Sequence, residues 1–307
     1  MRTFITGHQG LLGQALLRTL PSSIYPLVTT RQQLELTDEL AVDRFLADNG
    51  VECVILSAAK VGGILSNSVA KSEYLLENLK IQNSVISSCL RNQIRNLVFI
   101  GSSCVYPSDI DPPFTEEVLG RGKFESTNEG YAIAKFAGIK LCQSISIEKE
   151  LCYTSLIPCN LYGPFDNFDS QTAHVIPALI KKFVSARNDE LDVIEIMGSG
   201  TARREFLFSE DLAQAIWFFL GKDIEGGLLN IGAGVEISIK ELAYLIARIV
   251  GFRGSINFLN QGLNGVQSKL MNSARANQLG WSPRVGLEEG ITKTVQWFES
   301  SKNMSIK

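Results

Sequence analysis

Histidine is scarce in this chain, with only His8 and His174 among 307 residues. A metal centre built from several histidines is therefore nearly excluded, and we expect no metal site. A Ser-His-Asp hydrolase also has few ways to form. This scarcity narrows the chemistry before any motif is considered.

Long apolar runs and blocks of one charge are also missing. No apolar stretch approaches the about 20 residues that a membrane-spanning helix needs, and we expect neither a signal peptide nor a membrane partner. The formal net charge of -3 comes without a long Lys/Arg block. Because nucleic-acid binders need such a basic footprint, we expect small-molecule partners and no nucleic acid.

Cysteine is present but scattered, at positions 53, 89, 104, 142, 152 and 159. The spacing contains no Cys-x-x-Cys pair and lacks the density of a disulfide scaffold. We therefore expect a reducing, cytoplasmic location.

The first half of the chain alternates short β-branched apolar runs with longer segments of helical spacing. The runs at 3–6, 24–29, 53–57, 97–102 and 153–158 predict strands. The segments at 11–20, 38–49, 68–92 and 129–148 predict helices. This alternation predicts an α/β fold with a doubly wound parallel sheet of the Rossmann type.

The regular alternation of predicted strands and helices ends after residue 165. Beyond it, the sequence predicts a helix at 175–186 and a strand at 193–197. A further helix opens with Ser238 and Glu241, which have the spacing of a capping box. We predict a Rossmann domain at 1–165 and a smaller C-terminal substrate-binding lobe at 166–307. Part of 205–231 could return to the main sheet.

A glycine-rich segment, Gly-His-Gln-Gly-Leu-Leu-Gly at 7–13, directly follows the first predicted strand and opens the first helix. Glycines there permit a tight turn, close approach of the backbone to a pyrophosphate and close helix packing, while the helix N-terminus favours negative charge. We predict a dinucleotide site at this turn; a plain glycine-rich turn is the alternative.

The end of the second strand distinguishes NAD from NADP, since NAD sites have a carboxylate there and NADP sites a cation for the 2′-phosphate. Arg31 occupies this position and follows Thr29 and Thr30. The sequence therefore predicts NADP(H). A solvated surface arginine remains the alternative.

Tyr131 and Lys135 lie four residues apart on a predicted helix and thus share one face. A phenol is a poor acid or base at neutral pH unless a neighbouring cation stabilises its anion, which a lysine can do. Ser102 falls at the end of the fourth strand, where open α/β sheets bind ligands. The three residues predict a hydride-transfer site; an exposed helix pair and a strand-ending serine are the alternatives.

Five longer sequence segments resemble those of a known enzyme family. They are Gly-Ser-Ser-Cys-Val-Tyr-Pro at 101–107, Tyr-Ala-Ile-Ala-Lys at 131–135, Asn-Leu-Tyr-Gly-Pro at 160–164, His-Val-Ile-Pro-Ala at 174–178 and Ala-Ala-Lys-Val-Gly-Gly-Ile at 58–64. Together they resemble the GDP-L-fucose synthase family of extended short-chain dehydrogenases/reductases. The similarity covers nearly the whole chain.

This resemblance implies NADPH-dependent 3,5-epimerisation and 4-reduction of a GDP-4-keto-6-deoxy sugar. It implies that Ser102, Tyr131 and Lys135 reduce C4. It also implies that Cys104 and His174 exchange protons at C3 and C5, which suits groups that titrate near neutrality.

The glycine turn, Arg31 and the resemblance together give two sets of expected ligand contacts. The expected cofactor contacts are Gly7, Gly10, Leu11, Leu12, Gly13, Arg31, Ala58, Ser102, Tyr131, Lys135, Pro158, Asn160, Leu161 and His174. The expected substrate contacts are Ser103, Cys104, Asn160, Lys182 and Arg204, with Lys182 and Arg204 facing the diphosphate.

The chain departs from the family pattern at Gln9, Phe165, Met197 and Asn264. An alternative is a C4-reductase without epimerisation, acting on a related GDP-4-keto-6-deoxy sugar such as a heptose or a dideoxy hexose. A 4,6-dehydratase fits less well, because its acidic pair is replaced here by Ser103 and Cys104. A non-enzymatic NADP sensor is disfavoured because Tyr131 and Lys135 are both present.

The predicted helices at 68–92 and 129–148 could pair with their copies in a homodimer, as the resemblance implies. Alternatively, their apolar faces only cover their own sheet.

Overall fold

The computed structural model describes residues 1–169, 172–259 and 266–304. Its strands are β1 (Arg2–Ile5), β2 (Tyr25–Leu27), β3 (Cys53–Leu56), β4 (Asn96–Ile100), β5 (Cys152–Pro158), β6 (Asn160–Tyr162), β7 (Val193–Met197), β8 (Arg203–Phe208), β9 (Leu228–Ile231), β10 (Glu236–Ser238) and β11 (Ser255–Leu259). Its α-helices are α1 (Leu11–Arg18), α2 (Glu39–Asp48), α3 (Ile64–Val69), α4 (Lys71–Arg91), α5 (Glu129–Lys149), α6 (Val175–Asn188), α7 (Ser209–Phe219), α8 (Ile239–Val250), α9 (Ala274–Gln278) and α10 (Leu287–Met304). Within the described ranges, none of these helices combines the length and apolarity needed to cross a membrane.

The central sheet has six parallel strands in the order β2-β1-β3-β4-β5-β9. The chain first runs outward from β1 to β2 and then places β3 on the other side of β1, so the winding reverses between β1 and β3. Open α/β sheets bind ligands beyond the carboxyl ends of the strands at such a reversal. The predicted doubly wound parallel sheet is confirmed.

One predicted helix is interrupted. The spacing predicts a single helix at 68–92, whereas α3 ends at Val69 and α4 begins at Lys71. Ala70 between them has φ -125° and ψ 35°, outside the helical region. After this break, α4 packs against α5.

Glycines bring α5 close to its neighbours. A Cβ atom at Gly130 would lie 2.2 Å from the carbonyl oxygen of Lys71, and one at Gly138 would lie 2.4 Å from Cζ of Phe99. Since Cβ atoms do not approach other heavy atoms this closely, the two glycines permit the contact with α4 and β4. This contact puts the first turns of α5, with Lys135, beside the end of β4.

A second apolar cluster lies in the C-terminal part of the chain. It is formed by buried side chains of α6, α8 and α10 with β7 and β8. The start of α8 is a capping box: the Ser238 hydroxyl accepts from the Glu241 N–H (3.1 Å), and the Glu241 carboxylate accepts from the Ser238 N–H (2.9 Å). The predicted capping box is confirmed.

The chain crosses back to the central sheet between these C-terminal elements. After β8, α7 packs near α1, and β9 pairs with β5 in parallel. Strand β8 itself belongs to a three-stranded sheet in the order β10-β8-β6. The segment at 205–231 therefore contributes to both sheets.

Candidate active site

The glycine turn after β1 is built for close backbone approach. Gly7 has φ 68°, a left-handed conformation that favours glycine. A Cβ atom at Gly13 would lie 2.3 Å from the Gly7 carbonyl oxygen. Gly10 caps α1 without a side-chain hydrogen bond, and a Cβ atom there would meet only the Gly7 oxygen, at 3.6 Å. The helix N-terminus is thus open to a phosphate, and the turn fits a dinucleotide.

The ends of β1 and β3 meet at this turn. The Thr6 hydroxyl accepts from the Ala58 N–H at 2.9 Å, and a Cβ atom at Gly7 would lie 3.0 Å from the Ala58 Cα. Leu11 and Leu12 are half-buried in the first turn of α1. The residues predicted to contact the cofactor at this turn therefore lie together where the winding of the sheet reverses.

Arg31 lies in the loop after β2, at the same carboxyl edge. Its Nε atom is 2.7 Å from the Glu35 carboxylate and its Nη1 atom is 3.4 Å from the Glu77 carboxylate. The side chain is 73% exposed. The guanidinium is therefore accessible from solvent to a 2′-phosphate, with Glu35 and Glu77 beside it.

Ser102, Cys104 and Tyr131 come together beyond the end of β4. A short 3₁₀ helix, Ser103–Val105, begins directly after Ser102, whose hydroxyl accepts from the Cys104 N–H at 3.4 Å. The Ser102 hydroxyl also hydrogen-bonds with Tyr131. Ser103 and Cys104 are buried. The residues predicted to orient and protonate a carbonyl oxygen are thus adjacent.

Burial sets the charge states of Tyr131 and Lys135. Burial raises the pKa of Tyr131, as does the neighbouring Cys104, while the hydrogen bond with Ser102 lowers it. Burial lowers the pKa of Lys135 to about 8. The Lys135 ammonium donates to the Ile100 carbonyl (2.8 Å) and lies 5.8 Å from the centre of the Tyr131 ring. The phenol is therefore protonated at neutral pH, as a proton donor must be.

Cys104 and His174 both rest uncharged at neutral pH. Burial raises the pKa of the Cys104 thiol, and the hydrogen bond with Ser102 and the charge of Lys269 oppose this rise. His174 caps the N-terminus of α6 and is exposed, yet nearby protein atoms desolvate it enough to lower the pKa of its imidazole. A thiol can give a proton and a neutral imidazole can accept one.

Asn160 and its neighbours lie where the chain passes from β5 of the central sheet to β6 of the three-stranded sheet. Pro158 ends β5 and is buried, while Asn160 and Leu161 begin β6 and are half-buried. The Asn160 amide donates to the Glu205 carbonyl of β8 at 2.9 Å. The side chain therefore links β6 to the strand that carries Arg204.

The two predicted diphosphate ligands differ in setting. Arg204 is half-buried and its Nη1 donates to the Arg203 carbonyl at 2.6 Å. Burial lowers the pKa of Arg204, and the charge of Glu125 opposes this. Lys182 is exposed on α6 and its ammonium donates to the carbonyl of Glu195. Asn264, one of the departures from the family pattern, lies outside the described residues.

Sequence reasoning missed an ion pair near Cys104. The Lys269 ammonium is 2.5 Å from the Glu125 carboxylate, and only 13% and 10% of the two side chains are exposed. Lys269 acts on the pKa of Cys104, and Glu125 on those of Cys104 and Arg204. The two residues are 144 positions apart, so no local spacing could have paired them.

These features define a class of protein. A parallel sheet with a glycine turn at its winding reversal, and a serine, a tyrosine and a lysine beyond a neighbouring strand, is the arrangement of an NADP-dependent oxidoreductase. Residues 3–232 match the model of the NAD dependent epimerase/dehydratase family, and the chain belongs to that family.

Particular relatives narrow the class. The chain is 43% identical to the GDP-L-fucose synthase of Sinorhizobium fredii (strain NBRC 101917 / NGR234), with 98% of this chain and 96% of the relative covered. It is similar to the crystal structure of a GDP-6-OMe-4-keto-L-xylo-heptose reductase from C. jejuni, with a TM-score of 0.90, 30% identity and 98% of each chain covered. It is also similar to a GDP-L-fucose synthetase from Naegleria fowleri bound to NADP, with a TM-score of 0.88, 26% identity and 100% and 96% of the two chains covered.

Proposed function

We propose that this chain catalyses the NADPH-dependent 3,5-epimerisation and 4-reduction of a GDP-4-keto-6-deoxy sugar, converting GDP-4-keto-6-deoxy-D-mannose to GDP-L-fucose. The observation that carries the proposal is the 43% identity to a GDP-L-fucose synthase over 98% of the chain. The adjacency of Ser102, Cys104 and Tyr131 supports it, since both half-reactions need groups at one sugar ring.

In the reductive half, Tyr131 donates a proton to the C4 oxygen while Ser102 orients that oxygen by a hydrogen bond. The protonated Lys135 lowers the cost of leaving a phenolate behind. Bound NADPH supplies the hydride that C4 receives. The glycines of the turn at 7–13 would hold its pyrophosphate and Arg31 its 2′-phosphate.

In the epimerising half, Cys104 and His174 exchange the protons at C3 and C5. The neighbouring C4 ketone acidifies each C–H bond, so removal of a proton leaves an enolate that is reprotonated on the opposite face. One group must therefore take a proton and the other return one, as a thiol and a neutral imidazole can. Arg204 and Lys182 would neutralise the diphosphate of the GDP group.

The proposal also covers the division into domains, the oligomeric state and the location in the cell. Residues 1–165 serve as the NADP-binding domain, and residues 166–307 provide the substrate-binding lobe, apart from the part of 205–231 that joins the central sheet. The enzyme is a homodimer that pairs through α4 and α5. It works in the cytoplasm, where a reducing environment suits its six free cysteines.

Isotope exchange tests the epimerising half. When the keto sugar is incubated with enzyme in heavy water without NADPH, deuterium should appear at C3, C5 or both, by NMR and mass spectrometry. Cys104→Ala should suppress this exchange, whereas Cys152→Ala, a cysteine on β5, should leave it unchanged. Tyr131→Phe should retain the exchange and lose reduction by about 100-fold or more, because it lacks only the proton donor for the oxygen.

A wild-type enzyme that reduces its keto sugar but incorporates no deuterium above the buffer control would contradict the epimerising half. The alternative, a C4-reductase of a related sugar such as a heptose or a dideoxy hexose, would then replace it. Cys104 and His174 would revert to binding or packing roles.

A further inference from the structure

A carboxylate lies between two cations at the carboxyl edge of the central sheet. Arg31 follows β2, Lys60 follows β3, and Glu77 of α4 contacts both. One Glu77 oxygen is 3.4 Å from the Arg31 Nη1 atom, and the other is 3.2 Å from the Lys60 ammonium. Glu35 contacts the Arg31 Nε atom at 2.7 Å, and Glu73 contacts Lys60. Glu77 therefore bridges the ends of two strands.

We propose that Glu77 is a specificity-determining residue for the cofactor, whose carboxylate competes with the ribose 2′-phosphate for Arg31 and so lowers the preference for NADPH over NADH. The inference rests on the proposed function, in which Arg31 holds that phosphate.

The donors of Arg31 are the first reason. A guanidinium carries five N–H donors and binds a phosphate best through two of them side by side. Here Nε is engaged by Glu35 and Nη1 by Glu77. Hydrogen bonding and charge from Glu35, followed by the charge of Glu77, raise the pKa of Arg31, so the carboxylates already stabilise the cation. A 2′-phosphate that binds Arg31 must displace part of the interaction between the guanidinium and these carboxylates. The net gain from phosphate binding is smaller by that amount.

The charge of Glu77 is the second reason. Only 23% of its side chain is exposed, so water screens it less than it screens the 73% exposed Arg31. A 2′-phosphate at Arg31 would approach this carboxylate, and like charges repel. NADH carries a neutral 2′-hydroxyl in place of the phosphate and meets no such repulsion. The charge of Glu77 therefore weakens the binding of NADPH and leaves the binding of NADH unchanged.

The magnitude follows from the exposure of Arg31. Exposed ion pairs contribute little to stability, so removing the charge of Glu77 should tighten NADPH binding about 3- to 5-fold rather than by orders of magnitude. The affinity for NADH should stay the same. The ratio of the dissociation constants for NADPH and NADH is therefore the quantity to measure.

The test is titration of the enzyme with NADPH and with NADH by calorimetry, using Glu77→Gln, which keeps the shape of the side chain and removes its charge. The Kd for NADPH should fall about 3- to 5-fold and the Kd for NADH should not change. The matched control is Glu299→Gln, which changes the net charge equally but removes the 2.8 Å ion pair with Arg187 in the C-terminal part of the chain. It should leave both values unchanged.

Arg31→Ala separates this inference from the proposed function. If Arg31→Ala leaves NADPH binding unchanged, the proposed role of Arg31 fails and the inference fails with it. If Arg31→Ala weakens NADPH binding but Glu77→Gln leaves the NADPH to NADH ratio as it was, only the inference is overturned. In an Arg31→Ala background, Glu77→Gln should no longer tighten NADPH binding, and an undiminished gain there would also overturn it.

Glu35→Gln provides a second route should Glu77→Gln fail to fold. Glu35 contacts the same guanidinium from the other side, at Nε. Its substitution should shift the NADPH to NADH ratio in the same direction, and an unchanged ratio would count against competition for Arg31.

Discussion

At the scale of single residues, burial decides which groups near Ser102 carry charge. The surrounding protein removes water from Tyr131 and Lys135 alike, and each is driven toward its uncharged form. For the phenol this preserves the proton that reduction requires. For the lysine it brings the loss of charge into a pH range that an assay can reach.

The pH profile of reduction should report Lys135. Because burial lowers its pKa to about 8, the ammonium is present below that pH and is lost as the pH rises through it. NADPH oxidation at saturating substrate should therefore decline above pH 8. In Lys135→Arg, which keeps its charge, the decline should move to higher pH even if the maximum rate is lower. An unaltered midpoint in Lys135→Arg would assign the titration to another group.

At the scale of elements, the glycines of the turn between β1 and α1 have two different roles. One permits tight packing of the backbone, and another keeps the helix N-terminus accessible to a ligand. A Cβ atom at Gly13 would lie 2.3 Å from the Gly7 oxygen, whereas one at Gly10 would lie 3.6 Å from the same oxygen, an ordinary van der Waals contact. The same type of substitution should therefore have different consequences at two glycines three residues apart.

Gly13→Ala should destabilise the fold by about 1–3 kcal/mol, because its Cβ would lie 2.3 Å from a backbone oxygen that cannot move freely. Gly10→Ala should cost less, about 0.5–1 kcal/mol, since alanine is a poorer N-cap than glycine. If the pyrophosphate approaches the turn as proposed, Gly10→Ala should nevertheless weaken NADPH binding. Denaturant unfolding and NADPH titration measure the two effects, and equal losses of stability would refute the distinction.

At the scale of the whole molecule, the outer surfaces of α4 and α5 bear on assembly. The two helices pack against each other beside the sheet. Large apolar side chains remain exposed there, with Leu76 of α4 56% exposed and Ile147 of α5 78% exposed. Such residues suit the proposed homodimer, in which they would be buried between the two copies.

Light scattering at micromolar concentration should give the mass of a dimer. Leu76→Glu should shift the mass toward that of a monomer, because the dimer interface would bury an unpaired charge. The substitution should not unfold the chain, because residue 76 is exposed to solvent in the isolated subunit. Leu191→Glu is the control, since Leu191 is 49% exposed but lies outside both helices. A monomeric wild-type mass would rule out the proposed assembly.

The sequence alone determined the features that depend on neighbours along the chain. Alternating apolar runs predicted the parallel sheet, and the capping-box spacing predicted the start of α8; both are confirmed. The strings around Ser102 and Tyr131 predicted the GDP-L-fucose synthase family, which relatives about 40% identical support. These patterns are readable because helix and strand periods and turn conformations are local properties of a sequence.

Only the tertiary structure decided the features that depend on distance through space. The break at Ala70, the Glu125–Lys269 ion pair and the contact of Glu77 with both Arg31 and Lys60 have no signature in local spacing. The lowered pKa of Lys135 likewise follows from burial by distant segments. Desolvation and Coulomb energies depend on which atoms surround a charge, and folding brings those atoms together from remote parts of the chain.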